Sequence, residues 1–131
     1  MRQLITVCLI LIGGSSSATE PYKDGDIFFC KTNFYGLYDS YYNELVKYGP
    51  KKIKFQIVGD KKLKFGDQSP YMLRSATISY SEPNFINASS GSKIISFVAT
   101  LNPKDEPINQ LIISETSNLG VGIISAECER F

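Results

Sequence analysis

Residues 51–65, KKIKFQIVGDKKLKF, decide the fold. Ile53, Phe55 and Ile57 alternate with Lys52, Lys54 and Gln56, and Leu63 and Phe65 alternate with Lys62 and Lys64. A period of two marks a strand with one apolar and one solvated face. A two-residue turn at Gly59-Asp60 would set Ile57 opposite Lys62 and put the two faces in conflict, because side chains alternate strictly along a strand. A three-residue loop over 59–61 pairs Ile57 with Leu63 and Phe55 with Phe65 instead, and this is the expected register.

The same kind of segment recurs on both sides of the hairpin. Short runs rich in Ile, Val, Phe and Tyr, separated by Gly, Pro, Asn and Asp, predict strands over 26–32, 73–80, 93–101, 108–115 and 121–128. Pro103 and Pro107 bracket a charged, exposed turn. The fold class is therefore all-β, a small antiparallel β-sandwich or barrel-like domain. One short helix is expected near residues 39–48: Asp39 or Ser40 can cap it, Tyr41, Leu45 and Tyr48 recur at helical spacing, and Gly49-Pro50 stop it.

Residues 1–18, MRQLITVCLILIGGSSSA, have a basic start at Arg2, an apolar run from Leu4 to Ile12 and small residues at Ser16 and Ala18. This is the pattern of a secretory signal peptide, and its apolar run is shorter than the roughly 20 residues needed to cross a bilayer. A single secreted domain over 19–131 is expected, with no membrane insertion. Without Arg2 the 14 basic residues lose one member against 13 acidic residues. The near-neutral remainder speaks against nucleic acid or another polyanion as a partner of the chain as a whole.

Of the three cysteines, Cys8 lies in the signal segment, leaving Cys30 and Cys128. In an oxidising compartment this isolated pair most simply forms one disulfide around nearly the whole domain. Loop-closure entropy makes such a bond worth roughly 4 to 5 kcal/mol. Asn87-Ala88-Ser89 is a glycosylation sequon in a stretch that reads as a surface turn.

The chain contains no histidine, which removes Ser-His-Asp and Cys-His nucleophile systems and histidine-ligated metals. Asp24-Gly25-Asp26 reads as a solvated turn. A non-enzymatic binding protein without a cofactor is expected, and its partner is expected to be an extracellular protein. The candidate surface is the tyrosine-rich stretch with Tyr35, Tyr38, Tyr41, Tyr42 and Tyr48, since tyrosine is enriched at interfaces. The same tyrosines also suit bulky packing in a domain with no tryptophan. A second candidate is the lysine hairpin, with Lys52, Lys54, Lys62 and Lys64 on one face and Lys47, Lys51 and Lys61 nearby. It reads first as a solvated face guarding an edge, because no arginine supplies bidentate anion recognition. Its functional alternative is a sulfated glycan or an anionic surface.

Near the C-terminus, Gly120-Val121-Gly122 poses the question of a phosphate cradle. A phosphate loop opens a helix, whereas here Ile123, Ile124 and Ala126 continue as a strand. Asn118-Leu119-Gly120 therefore reads as a turn, and Gly122 as a bulge or a close backbone approach.

The residues Ser117-Asn118-Leu119-Gly120-Val121-Gly122-Ile123 are similar to the S-Q-R-G-x-G-I stretch of the secreted arthropod family named after multiprotein bridging factor two. Gly59-Asp60-Lys61-Lys62-Leu63 resembles that family's G-D-[RK]-x-L, residues 93–103 resemble its I-x-x-[IV]-x-A-x-[DN]-x strand and turn, and INQLIIS its V-T-I strand. Leu119 stands where the family has arginine, and PKDEPINQ replaces its G-G-x-G loop. The resemblance, over roughly residues 53–131, implies an exported all-β protein of arthropod haemolymph, secretions or venom, without an established enzymatic activity. The family's name also implies a transcriptional coactivator-like alternative, which a signal peptide would preclude.

Overall fold

The computed structural model describes residues 20–67 and 69–131, so the expected signal segment 1–18, with Cys8, lies outside the described residues. Nine strands follow: β1 (Ile27–Asp39), β2 (Glu44–Lys47), β3 (Lys52–Val58), β4 (Lys62–Phe65), β5 (Ser75–Glu82), β6 (Phe85–Ser90), β7 (Lys93–Leu101), β8 (Pro107–Ser117) and β9 (Gly120–Arg130). From β3 to β9 each strand pairs antiparallel with the next, and β1 joins β3 to β9. Eight strands thus form a closed antiparallel barrel, with β2 appended to β1.

The lysine hairpin has the expected register, Ile57 facing Leu63 and Phe55 facing Phe65, with Gly59 at φ 61° in the three-residue loop. The apolar set points inward throughout. Phe28, Phe55 and Phe97 meet at the centre, with ring centroids 4.7 to 5.4 Å apart, and Ile53, Leu63, Ile86, Ile95, Leu111, Ile113 and Ile124 surround them. Eight strands give an interior that side chains can fill, and each such buried side chain contributes about 1.5 to 3 kcal/mol.

β1 closes the barrel along its full length, from Phe28 opposite Arg130 to Asp39 opposite Gly120. A bulge between Thr32 and Phe34 keeps the inward set in phase: Phe28, Cys30 and Thr32 before it, Tyr35 and Leu37 after it. Cys30 and Cys128 are direct partners in this seam, with Cα atoms 3.9 Å apart, and they form the disulfide. At the barrel's lower end, residues 20–26 fold across the opening. Tyr22 stacks on Phe97 at 4.6 Å, and its hydroxyl donates to Asn109 Oδ1 at 2.8 Å. The nearly buried Arg130 holds this segment through Glu20 Oε2 at 3.0 Å, the Glu20 carbonyl at 2.9 Å and Asp26 Oδ2 at 3.6 Å.

Two expectations need correction. No helix spans 39–48; the chain turns over residues 40–43 and returns as β2. Asp39 Oδ1 does accept from the amides of Tyr41 and Tyr42, as an N-cap would, at 2.9 and 3.2 Å. Asn43 then takes φ 53° and reverses the chain, so that Glu44–Lys47 pairs with the far half of β1. Backbone pairing with β1 outcompetes a helix of under three turns, which has little stability of its own. Second, the sequon at Asn87 is not in a turn but within β6, between the inward Ile86 and Ala88. The turn comes later, at Gly91 with φ 60°.

Replacing Cys30 and Cys128 together by alanine is expected to cost about 4 kcal/mol of stability in urea unfolding followed by circular dichroism. A loss below about 1 kcal/mol would mean that the seam holds without the bond.

Candidate functional site

The upper end of the barrel, where β1 finishes and β9 starts, carries apolar side chains on the outside. In one row Leu45 of β2, Tyr38 of β1 and Val121 of β9 are direct cross-strand neighbours. In the next row Ile123 flanks Gly36, which leaves room for the Phe34 ring: a Cβ on Gly36 would lie 2.9 Å from Phe34 Cζ. The adjoining turns add Tyr41, Tyr42 and Leu119, which are 79%, 68% and 62% exposed. Tyr38, Tyr41 and Tyr42 thus come together on the surface, and the packing role that tyrosines could have filled does not apply to them. Tyr35 differs, because the bulge turns it inward.

The turn that aims this face is built from Ser117, Gly120 and Gly122. Ser117 pairs with Gly120 around the two-residue turn Asn118-Leu119, whose Leu119 amide donates to Ser117 Oγ at 3.3 Å. Gly120 has φ 153°, and a Cβ there would lie 1.7 Å from the Tyr38 carbonyl oxygen. Gly122 is a close approach of another kind: its missing Cβ makes room for the Tyr71 hydroxyl, which would be 2.2 Å away. Both glycines serve strand packing, and the cradle alternative has no helix to act through.

Lys52, Lys54, Lys62 and Lys64 occupy one outer face, and Lys31 of β1 joins them. Lys31 lies directly opposite Lys52, a repulsive cross-strand pair, with Glu127 opposite Lys31 on its other side. None of these five lysines makes an ion pair within 4 Å among the described residues. Alongside runs an open groove of about 960 Å³ lined by Lys31, Lys52 and Lys54, by Glu127 and Glu129, and by Phe29. Lys54 Nζ sits 5.4 Å from the Phe29 ring centroid. The lysine face lies over the half of β1 that pairs with β3, away from the tyrosines, and the two candidate surfaces are not one site.

A third constellation, only partly visible in the sequence, lies at the upper mouth. Tyr35 stands 4.8 Å from Tyr48 and 5.9 Å from Tyr71 by ring centroids. Glu115 of β8, opposite Gly122, faces the same space. The Tyr71 hydroxyl and Glu115 Oε2 are buried, and neither has a hydrogen-bond partner among the described residues. Tyr71 and Met72 are held at φ 59° and 55° in a 3-10 turn. Burial raises the Tyr35 and Tyr71 hydroxyls, helped by their neighbouring tyrosines and by the Glu115 charge, and Tyr71 is pushed up to about 12. In the sequence, Tyr35 and Tyr48 stand in the tyrosine-rich stretch and Gly122 marks a position where something comes close, whereas Tyr71 and Glu115 carry no signal of their own.

Compared with protein-family models, curated proteins and solved structures, the chain matches none.

A phenol with a raised pKa binds its proton more tightly folded than unfolded, so its stabilising contribution is complete below about pH 10 and is lost as pH rises towards 12. The urea midpoint is accordingly expected to fall over that interval. Tyr71→Phe should make the fall shallower, and an unchanged slope in that variant would place the effect elsewhere.

Proposed function

We propose that this is a secreted, non-enzymatic binding protein that docks an extracellular protein on the outer face of its upper end. The observation that supports this most is the row Leu45, Tyr38 and Val121, flanked by Tyr41, Tyr42 and Leu119. The barrel interior is already filled by Phe28, Phe55, Phe97 and their neighbours, so these outward apolar side chains add nothing to the core. Contiguous exposed apolar surface of this kind marks contact sites, and tyrosine, with a large rigid body and a polar tip, is the residue type such sites favour. The resemblance to the bridging-factor-two family is consistent with this reading. The disulfide supports an oxidising destination.

Full-length chain expressed in insect cells is expected to reach the medium as a species starting near Thr19, and on a column it should retain a partner from extracellular fluid. Tyr38→Ala with Tyr42→Ala should abolish that retention while changing stability by less than about 0.5 kcal/mol, as surface substitutions do. Retention unaffected by the double substitution would remove the face from consideration.

A second reading rests on a different observation. Five lysines share one outer face without ion pairs among the described residues, and two of them directly oppose each other at an electrostatic cost. Such a face suits a sulfated glycan. Retention on heparin above physiological salt, lost when Lys52, Lys54, Lys62 and Lys64 become glutamine, is the expected result under this reading. Elution at or below physiological salt would reduce the lysines to a solvated face.

A further inference from the structure

We propose that the upper mouth of the barrel binds a small organic cation, a primary or quaternary ammonium, between the rings of Tyr35, Tyr48 and Tyr71 and the carboxylate of Glu115. This site is separate from the outer docking face and does not depend on it.

The argument starts from what is left unpaired. A carboxylate oxygen buried without a donor is costly, and so is a buried hydroxyl without a partner. Among the described residues, Glu115 Oε2 and the Tyr71 hydroxyl are both in this state in the same mouth. An ammonium supplies what Glu115 lacks, a charged donor, and a charge-assisted bond of this kind is among the stronger ones. The aromatic surroundings favour the same ligand. The rings of Tyr48 and Tyr71 each lie within 6 Å of the Tyr35 ring and present electron-rich faces, and a cation near such faces is attracted by the ring quadrupole. An anion would be repelled by Glu115, and a neutral apolar guest would leave the carboxylate unpaired.

The backbone points to the same place. Tyr71 and Met72 both hold left-handed conformations, unfavourable for residues with side chains, and the Tyr71 ring reaches across the mouth to a spot that only glycine at 122 leaves open. Strain of this kind persists where the surroundings enforce it and collects at binding sites. Tyr48, 45% exposed, leaves the rim reachable from solvent. The cation nearest in register is Lys93, which stands opposite Glu115 across β7 and β8. It forms no ion pair with Glu115, so the carboxylate is not already neutralised from within.

Phenethylammonium and its neutral analogue 2-phenylethanol, titrated calorimetrically into the whole chain, separate charge recognition from simple aromatic burial. The expected result is saturable binding of the amine, with the alcohol at least about tenfold weaker. Glu115→Gln should abolish the preference for the amine while circular dichroism and the thermal midpoint show an intact barrel. Tyr71→Leu should weaken the amine about fivefold, and the gentler Tyr71→Phe, which keeps the ring, should weaken it less. Lys93→Met should leave the affinity unchanged or raise it. Equal affinity for amine and alcohol, an unaltered preference in Glu115→Gln, or no heat at millimolar amine would each overturn the proposal. So would binding that appears only in Lys93→Met, since Lys93 would then be the cation that fills the site.

Discussion

The structure depends on the closure of β1 against β9. A meander of strands is an open sheet with two unpaired edges, each exposing a row of amide and carbonyl groups. Here the first and last strands of the domain satisfy each other over the whole of β9, and the ring has no gap along that seam. Such a contact joins residues nearly a hundred positions apart, so its entropy cost falls on the unfolded chain. The disulfide removes part of that cost, because Cys30 and Cys128 lie directly opposite each other in the seam. Arg130 extends the seam at its lower end. Its guanidinium lies 5.7 Å over Tyr22 and 5.3 Å over Phe28 while it binds Glu20 and Asp26, so the N-terminal segment is tied to the last strand.

Closure also decides where binding can happen. Aromatic side chains occupy the centre, which leaves the outer faces and the two ends. The lower end is sealed by Tyr22 and Arg130. The upper end is different in kind. β1 continues past β3 there and takes β2 as its neighbour, and Gly49-Pro50 breaks the line between β2 and β3. The break places Tyr48 at the rim, its amide donating to the Tyr35 carbonyl at 2.9 Å. Polar and aromatic groups that have no place in the core are thus collected at one end.

The elements that could be read from the sequence are those whose side-chain pattern is local. Strict alternation of Lys with Ile, Phe and Leu determined the register of β3 and β4, because only one loop length keeps the apolar set on one side. Two cysteines, once the signal segment is set aside, leave one pairing to form. β2 was hidden because Asp39 offers the same carboxylate to nearby amides whether a helix or a turn follows, and the outcome depends on β1 being free to pair. β6 was hidden because Asn87, Ser89 and Ser90 look like a loop, while Ile86 and the small Ala88 are enough to fill the barrel wall. The mouth site could not be assembled from sequence at all. Tyr35, Tyr71 and Glu115 are far apart in the chain, and their convergence depends on a bulge after Thr32, on a left-handed turn at Tyr71 and on a missing Cβ at Gly122.

That bulge has a mechanical consequence. Beyond it, β1 directs Tyr35 and Leu37 into the mouth and Phe34 and Tyr38 onto the outer face. One five-residue length of strand therefore forms a wall of both proposed sites, and nothing but its own backbone lies between them. β9 does the same, with Gly122 under the Tyr71 ring and Val121 and Ile123 facing out. A cation that fixes the Tyr35 and Tyr71 rings would also fix the strand that carries Tyr38. Linkage requires that any tightening of partner binding by the cation be matched by an equal tightening of cation binding by the partner. The coupling is favourable if the partner selects the ordered strand and absent if the strand is already rigid without the cation. The seam argues for rigidity in the lower part of β1, where the disulfide and Arg130 act, and β2 is the less anchored neighbour at the upper part, being short and exposed at every position. Whatever coupling the two sites have must pass through that upper third of the barrel, where β1 is held by β9 on one side and by four residues of β2 on the other.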